Sequence, residues 1–594
     1  MNPRYDPPPP ATTRVRTLLL GVWAAMTAAA VGFVLACGSN EPAADEWDFV
    51  PALTGHEPLG PWLWRQHNEH RLPLPRVIYL ALFAASHDFR AGMLLQVALL
   101  SATSLGLMRL AARLRGRPNW TDLFFPVSLL HAGHWENFLM GYQICFVLVT
   151  LLATAFGLLA LCATRENTFR SGVAAAAITL ALAACGGTGL VVALPISAWV
   201  AFLAVMEWRR GATRRAASLL FASFVPVAYL AVYLVGYQRP PHHPVPGDGG
   251  AAVALVTGQV LAVALGIGVA GVWGAVVVGL LALGGATLAF LLRQLKSPAD
   301  RPAAAGLVAL VAGLFGVALA IGVGRAGMSA DAGLWSRYAL LTWPLLGIAY
   351  LFWVKRGGRG GRWVPVALAA ASLLALPTNE GSGIWAGASL RGRMAKFETD
   401  IRNGVPTERA VRCFDESYYE GRDDEVIRAI PLMRDAAIGP FSPQPWRLVV
   451  TVAGLGLSAV GARWAWHLGR AVQVERAREL FRLQHERFEE MLMTAAGRTG
   501  KPRGLAWVGC EIVGDAVLAR DAAARGIVAL VPVVVRFEPV PGSDMEDVPA
   551  AKEPRRATAV YAFVGGQWHT DGRVVFNLDP RQAAAHFEGQ LQLL

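Results

Sequence analysis

The chain has 594 residues, of which 54% are hydrophobic and only 16% are charged, so it is too apolar for a soluble protein of this length. Its formal net charge of +12 comes from Arg and Lys in short connections between apolar runs, where such residues set membrane topology, and we predict no nucleic-acid binding. The six cysteines are scattered without CxxC spacing, which indicates neither a zinc site nor a disulfide framework.

The N-terminal residues predict a cytoplasmic tail followed by a first membrane span. Residues 1–16 contain a proline run and three arginines, a composition typical of a disordered tail that positive charge retains inside. Residues 17–37 are apolar and reach the ~20 residues that a helix needs to cross a bilayer. We therefore expect the next segment to lie outside.

The segment 38–76 is an outer loop with more ionisable and aromatic side chains than a simple connection needs. A carboxylate beside a membrane can serve as a general base, and indole rings pack against sugar rings. Asp48 is a further candidate for the base. The alternative interpretation of the segment is a plain acidic loop with interfacial tryptophans. The candidate catalytic residues are Asp45 and Glu46, and the candidate substrate-binding residues are His67, Glu69, His70 and Arg71.

Apolar runs then alternate with basic connections, which predicts about twelve spans within a transmembrane domain at 17–464 and both termini in the cytoplasm. A short surface helix is expected at 77–86, and 251–292 should form one crossing plus a re-entrant or interfacial helix. A second outer segment is expected at 377–445. The other predicted spans are 91–108, 138–161, 171–184, 190–206, 218–237, 303–323, 339–354, 363–376 and 447–464, with a shorter apolar run at 123–130.

Further polar groups are predicted at the same side of the membrane. His134 and Glu136 belong to the HAGHWEN segment at 131–137, and Gln143 follows on the next helix. Imidazole and carboxylate suit a divalent cation, so one is possible here, although surface hydrogen bonds are the alternative and no residue is assigned as a metal ligand. Arg325 and Arg337 can hold a lipid phosphate or simply extend toward lipid head groups.

The C-terminal part predicts a separate cytoplasmic unit. Hydrophobic residues recur at sevens from Val474, which indicates an amphipathic linker helix at 467–496 or a short coiled coil. Residues 504–594 alternate like antiparallel strands and predict a small α+β domain with an accessory or protein-contact role. Its expected features are strands at 527–537, 557–563, 567–569 and 573–577, hairpin turns at Gly565-Gly566 and Asp571-Gly572, and a final helix started by Asp579 and Pro580.

The layout of residues 14–464 resembles the GT-C class of membrane glycosyltransferases. The resemblance lies in Asp45-Glu46 soon after the first span, the surface helix that follows, the many short-looped spans, the HAGHWEN and GTGL segments, and SRY before a late span. HNEHR-like and GxQ-like segments also resemble those of bacterial multi-pass membrane proteins, and that likeness implies no activity.

By the GT-C resemblance, Asp45, with Glu46 as second candidate, deprotonates an acceptor hydroxyl that displaces a polyprenyl phosphate with inversion. Arg337 or Arg325 stabilises the departing phosphate. The resemblance also implies a lipid-linked sugar donor and membrane lipids as partners, together with an unidentified acceptor.

The expected protein is thus a mainly α, polytopic bundle of GT-C-like architecture in the inner (plasma) membrane, with a small α+β domain, acting as a lipid-linked-sugar glycosyltransferase. A transporter or flippase is one alternative and predicts polar groups at mid-membrane on facing helices. A non-enzymatic scaffold that presents the C-terminal domain is the other alternative. It predicts that changes at Asp45, Glu46 and Arg337 have no functional effect.

Overall fold

The chain forms two compact units, Met1–Ala453 and Gly454–Leu594. The computed structural model describes residues 10–239, 249–412, 423–444, 447–452, 454, 456, 473–481, 485–499, 504–521, 526–546, 548, 549, 552–564, 567–587 and 590–594. Most of the predicted last span, the first nine residues and the Gly565-Gly566 turn lie outside these residues.

The described part of the first unit is built from helices. They are α1 (Pro10–Cys37), α2 (Val50–Leu53), α3 (Leu59–Trp64), α4 (Pro73–Ser86), α5 (Arg90–Arg115), α6 (Phe124–Leu129), α7 (Trp135–Leu139), α8 (Ile144–Leu161), α9 (Thr168–Ala183), α10 (Gly187–Trp208), α11 (Thr213–Leu234), α12 (Gly250–Ala262), α13 (Trp273–Gln294), α14 (Arg301–Arg325), α15 (Ala339–Arg356), α16 (Gly358–Arg402), α17 (Thr407–Arg412) and α18 (Asp423–Asp435). Short 3₁₀ helices at Ala44–Phe49 and Ser336–Tyr338 matter for the site below.

Among the described residues, nine helical segments are long and apolar enough to cross a membrane, and three shorter apolar helices accompany them. Large apolar side chains such as Phe221, Val278 and Leu374 point outward from these helices and are more than half exposed. A lipid environment would cover such side chains, whereas water would penalise them. The unit therefore has the character of a polytopic membrane protein.

Two predicted boundaries are wrong. Helix α1 begins at Pro10, inside the segment expected to be a disordered tail, since proline is well suited to a first helical position. Helix α16 continues through Pro365 and Pro377 to Arg402, whereas the sequence predicted a span at 363–376 and an outer segment from 377. Proline is tolerated within membrane helices because neighbouring groups satisfy the backbone that it frees.

The apolar stretch at 251–292 divides at Gly266, whose φ of 95° is available to glycine but costly for other residues. Only the second part, Ile267–Gln294, is long enough to cross. The buried Asn379 side chain bonds to the backbone on both sides of this break. Its amide nitrogen donates to Leu265 O (2.8 Å), and its oxygen accepts from Gly268 N (2.7 Å).

The segment between α5 and α8 runs the length of α15 as short helical pieces. At one end Asp122 accepts from Tyr350 Oη (2.7 Å) and is paired with Arg115 (3.0 Å). At the other end Glu136 accepts from Arg337 N (2.9 Å). Positions 337 and 350 lie about 20 Å apart along a helix, so this segment crosses much of the bundle without a long helix of its own.

The second unit contains an antiparallel sheet, as predicted. Its strands are β1 (Leu505–Ile512), β2 (Val517–Asp521), β3 (Ile527–Pro539), β4 (Arg555–Val564), β5 (Gln567–His569), β6 (Val574–Phe576) and β7 (Leu591–Leu593). The main path runs β5-β4-β3-β2-β7, while β1 also pairs with β3 and β6 with β4. β5 and β6 pair with the same strand, β4, so Asp571-Gly572 interrupts one long returning strand and the predicted second hairpin is wrong.

Helices pack on this sheet. Residues 473–481 (α19) and His485–Thr499 (α20) place Phe481 and Phe488 against Tyr561 and Trp568, and Trp568 Nε1 donates to Ala477 O (3.0 Å). The hydrophobic stripe in the described part of 467–496 therefore meets a sheet and not the partner helix of a coiled coil. The last helix, α21 (Pro580–His586), is capped by Asp579 as predicted, since its carboxylate accepts from two backbone N–H groups.

Candidate functional site

A cavity of about 1050 Å³ in the first unit brings together most of the predicted site residues. It is formed where α11 and α14 end and where α8, α10 and α15 begin, which is one end of the bundle. The basic residues Arg113, Arg209 and Arg356 lie at the opposite helix ends. The predicted residues that line the cavity are Asp45, Glu69, His70, Glu136, Gln143, Arg325 and Arg337.

One wall of the cavity is apolar and comes from membrane-length helices. Leu190 and Leu194 of α10, Leu234 of α11, and Val317 and Ile321 of α14 contribute to it. The polar groups and this wall share one space, so the cavity suits a molecule with a charged or hydroxylated end and a hydrocarbon end.

The HNEHR segment forms a tight reversal that presents Glu69 and His70 to the cavity. His67 N donates to His70 O (2.7 Å) and His70 N donates to His67 O (2.8 Å). Asn68 between them is left-handed, with φ of 47°, a conformation that asparagine tolerates better than most residues. Burial lowers the pKa of His70 and favours its neutral form.

The three acidic side chains of the 3₁₀ helix Ala44–Phe49 do not all point the same way. At three residues per turn, Asp45 and Asp48 lie on the same side and both contact His67, while Glu46 is turned away. Only Asp45 lines the cavity. Asp48 lies behind it and is paired with Arg65 at 2.5 Å and Arg76 at 3.5 Å.

Glu46 is a buried structural group. Its carboxylate accepts from Ala43 N (2.9 Å), Tyr142 N (3.0 Å) and Tyr79 Oη (3.0 Å), and it has no exposed surface. Burial raises its pKa to about 7 in spite of these bonds. The second candidate base of the sequence therefore lies outside the cavity.

Arg71 is also structural. Its guanidinium donates to three backbone carbonyls, those of Trp64 (2.9 Å), Tyr233 (3.0 Å) and Val235 (2.8 Å). These bonds tie the first loop to the end of α11. The side chain is buried and does not line the cavity, unlike its neighbours in the HNEHR turn.

Two guanidinium groups face the cavity in different settings. Arg325 is held tightly, because it contacts Glu69 at 2.6 Å and donates to Tyr338 Oη at 3.2 Å. Arg337 lies 4.3 Å above the Trp335 ring and 3.8 Å from Glu136. A guanidinium group can bind a phosphate through two parallel N–H donors, so both side chains are of the type that a phosphate in this cavity requires.

His134 does not line the cavity. Its ring stacks on that of His131 with centroids 4.1 Å apart, and its Nε2 is 3.0 Å from Ser128 O. In the described parts of the chain, no group of three His, Cys, Asp or Glu side chains is arranged to hold a metal ion.

Two lining side chains have a polar atom without a hydrogen-bond partner among the described residues, Oε1 of Gln143 and Nδ1 of His70. Buried polar atoms are normally bonded, so each of these two atoms is an exception to that rule beside the cavity.

Sequence reasoning missed the aromatic residues around these groups. Trp335 lies beneath Arg337, and Tyr233 at the end of α11 donates to Glu69 O (2.9 Å). The LWSRY spacing, which sets two aromatic rings beside Arg337, was the available signal for Trp335. Tyr233 had no such signal, because its contact is with a loop more than 160 positions away.

Comparison of the chain with protein-family models, with curated proteins and with solved structures gave no match.

Proposed function

We propose that this protein is a membrane glycosyltransferase that moves a sugar from a polyprenyl-phosphate carrier to an acceptor hydroxyl outside the cytoplasm. The observation that carries the proposal is one cavity in which Asp45 and Arg337 stand beside an apolar wall of membrane-length helices. A lipid-linked sugar has the matching parts, since it joins a hydrocarbon chain, a phosphate and hydroxyl groups in that order.

The roles follow from the chemistry of each group. Asp45 takes the proton of the acceptor hydroxyl, whose oxygen forms a bond to the anomeric carbon of the sugar as the bond from that carbon to the phosphate oxygen breaks. The phosphate leaves with the electron pair, and Arg337 stabilises its charge. Attack from the face opposite the phosphate inverts the anomeric carbon.

The distribution of charge supports a cavity on the extracytoplasmic side. Basic residues at the helix ends away from the cavity favour the cytoplasm, and the cavity then opens outward. A transporter needs its polar groups near the middle of the membrane, whereas these polar groups lie at helix ends, which supports the transferase.

The test measures the thermal stability of the detergent-purified chain with and without a polyprenyl phosphate. Ligand at ~100 times its dissociation constant adds ~2.7 kcal/mol to a reversible unfolding free energy. We expect the stabilisation in the wild type and its loss in Arg337→Ala. Arg325→Ala should weaken it less, because Arg325 is already engaged by Glu69.

Arg209→Ala serves as the matched control, because Arg209 is an exposed residue at the opposite helix ends. It should keep the full stabilisation, and a phospholipid with the same charge should give none. A folded wild type that no polyprenyl phosphate stabilises would contradict the proposed function.

A further inference from the structure

His67 lies between two carboxylates. Its Nε2 is 3.3 Å from Asp45 Oδ1 and its Nδ1 is 3.1 Å from Asp48 Oδ2. Asn68 Nδ2 also lies 3.4 Å from Nε2. A neutral imidazole carries one N–H, so two carboxylates, one beside each nitrogen, favour the doubly protonated ring, which donates to both. The side chain is 5% exposed and packs edge-on against the rings of Phe49 and Tyr142, which fix its orientation.

Two arginines hold Asp48 on the side away from His67. Arg65 contacts it at 2.5 Å and Arg76 at 3.5 Å, and burial alone would raise its pKa. The hydrogen bond from His67 and the charges of the imidazole and the two guanidinium groups outweigh burial and lower the pKa of Asp48. The ionisable groups around His67 are Asp45, Asp48, Arg65, His70, Arg76 and Tyr142.

We propose that His67 is a positioning residue, an imidazolium clamped by Asp48 that keeps the Asp45 carboxylate ionised and directed into the cavity. The proposal rests on the proposed function only in giving Asp45 the part of the base. Asp45 takes up the proton of the acceptor, and His67 keeps both of its protons throughout.

The protonation of His67 agrees with this geometry. Burial by itself opposes the imidazolium, but the charge and hydrogen bond of Asp45, together with those of Asp48, raise the pKa of His67 to about 9. The cation is therefore present over the physiological range of pH.

The coupling can be measured without any sugar transfer, with a thiol in place of the carboxylate. All six native cysteines are replaced by alanine and Asp45→Cys is introduced. Alkylation by iodoacetamide, a neutral reagent, is then followed from pH 5 to 10. A neighbouring imidazolium stabilises a thiolate, so the thiol at position 45 should react at pH 7 about tenfold faster with His67 present than with His67→Gln.

Glu136→Cys in the same background is the matched control, because position 136 lines the same cavity but does not contact His67. Its rate should be the same with and without His67→Gln. An equal rate at position 45 with and without His67 would overturn the proposal.

The pH profile of Asp45→Cys with His67 intact provides a second measurement, which does not depend on the folding of the double variant. Its thiolate should form at least one pH unit below the ordinary thiol value of about 8.5. A thiolate that forms at or above the ordinary value would also overturn the proposal. Neither result depends on the proposed function, so a chain with this coupling that binds no polyprenyl phosphate would contradict the function alone.

Discussion

At the scale of single residues, Asp45 and Glu46 are adjacent in sequence and opposite in environment. Asp45 faces the cavity, whereas Glu46 is buried and accepts three hydrogen bonds. Under the proposed function, Asp45→Asn should reduce sugar transfer by about 10²–10⁴-fold, the usual contribution of a general base. Transfer measured with a lipid-linked sugar donor checks this, and an Asp45→Asn variant that keeps full activity would rule out Asp45 as the base.

Glu46→Gln should instead act on stability. It places an amide N–H₂ among donors, which leaves buried donors unsatisfied and lowers the free energy of unfolding by about 1–3 kcal/mol. Denaturation of the purified variant measures the change, with the exposed Glu166→Gln as the control. Equal stability of the two variants would refute the structural role of Glu46.

The pKa of His67 predicts how stability depends on pH. Its folded value of about 9 lies above the ordinary value of 6.5, so its contribution is complete below pH 6.5 and is lost as pH rises through 9. At about 1.4 kcal/mol per pKa unit the loss is at most about 3–4 kcal/mol. Burial of Glu46 and Glu41 acts in the same direction up to their folded pKa values of about 7 and about 8, so the contribution of His67 is isolated only by comparison with a His67 variant.

The measurement compares unfolding temperatures of the wild type and His67→Gln between pH 6.5 and 9.5. The difference between the two proteins should shrink as pH rises, while His56→Gln, at an exposed histidine, should follow the wild type throughout. A difference that stays constant over this range would show that His67 does not titrate there.

The GT-C resemblance placed Asp45 before Glu46 as the base, with Asp48 as a competitor. Composition alone could not separate the three acids, because it carries no information on the direction of a side chain. Their separation comes from the 3₁₀ geometry of Ala44–Phe49, which repeats every three residues and sends Glu46 into the core. Arg71 and His134 were misleading for the same reason, since a polar side chain can satisfy backbone carbonyls as readily as it can bind a ligand.

At the scale of elements, the turn between α9 and α10 depends on glycine. A Cβ at Gly189 would overlap the carbonyl oxygen of Leu182, a backbone atom that cannot move aside cheaply. Gly189→Ala should therefore lower the free energy of unfolding by about 1–3 kcal/mol. Gly284→Ala in α13 is the control, because nothing lies within 4 Å of the added atom, and it should be neutral or slightly stabilising.

Thermal unfolding of both variants in detergent decides the matter, and equal stabilities would show that the turn relaxes without cost. The short gap between the predicted spans 171–184 and 190–206 implied a turn at this place, and α9 and α10 are indeed separated by three residues. The end of α16 could not be predicted in this way, because Pro377 normally signals a helix end and only the surrounding bundle makes it tolerable.

At the scale of the whole molecule, the arrangement of charges predicts which helix ends face each side of the membrane. The exposed His56 belongs to the first loop, and the exposed Cys162 lies at the opposite helix ends. In a cysteine-free background, His56→Cys should react with a membrane-impermeant maleimide on intact spheroplasts. A chain that keeps only Cys162 should react only after the membrane is permeabilised. The reverse pattern would place the cavity on the cytoplasmic side.

The membrane character of the chain could be predicted from its sequence, because every helix that crosses lipid must be long and apolar. The cavity could be predicted only in part. Its polar groups could be placed on one side by counting spans, but their meeting depends on contacts between distant positions, such as Glu69 with Arg325. No local pattern encodes such a contact.

The short helical pieces between α5 and α8 have a consequence for biosynthesis. Asp122, His134 and Glu136 make this segment a poor candidate for entering lipid by itself, and several of its backbone and side-chain partners belong to α15 and the turn before it. Those partners are synthesised some 200 residues later. We therefore expect the segment to wait in or beside the insertion machinery until α15 emerges, so that truncation before residue 339 leaves it outside the bilayer.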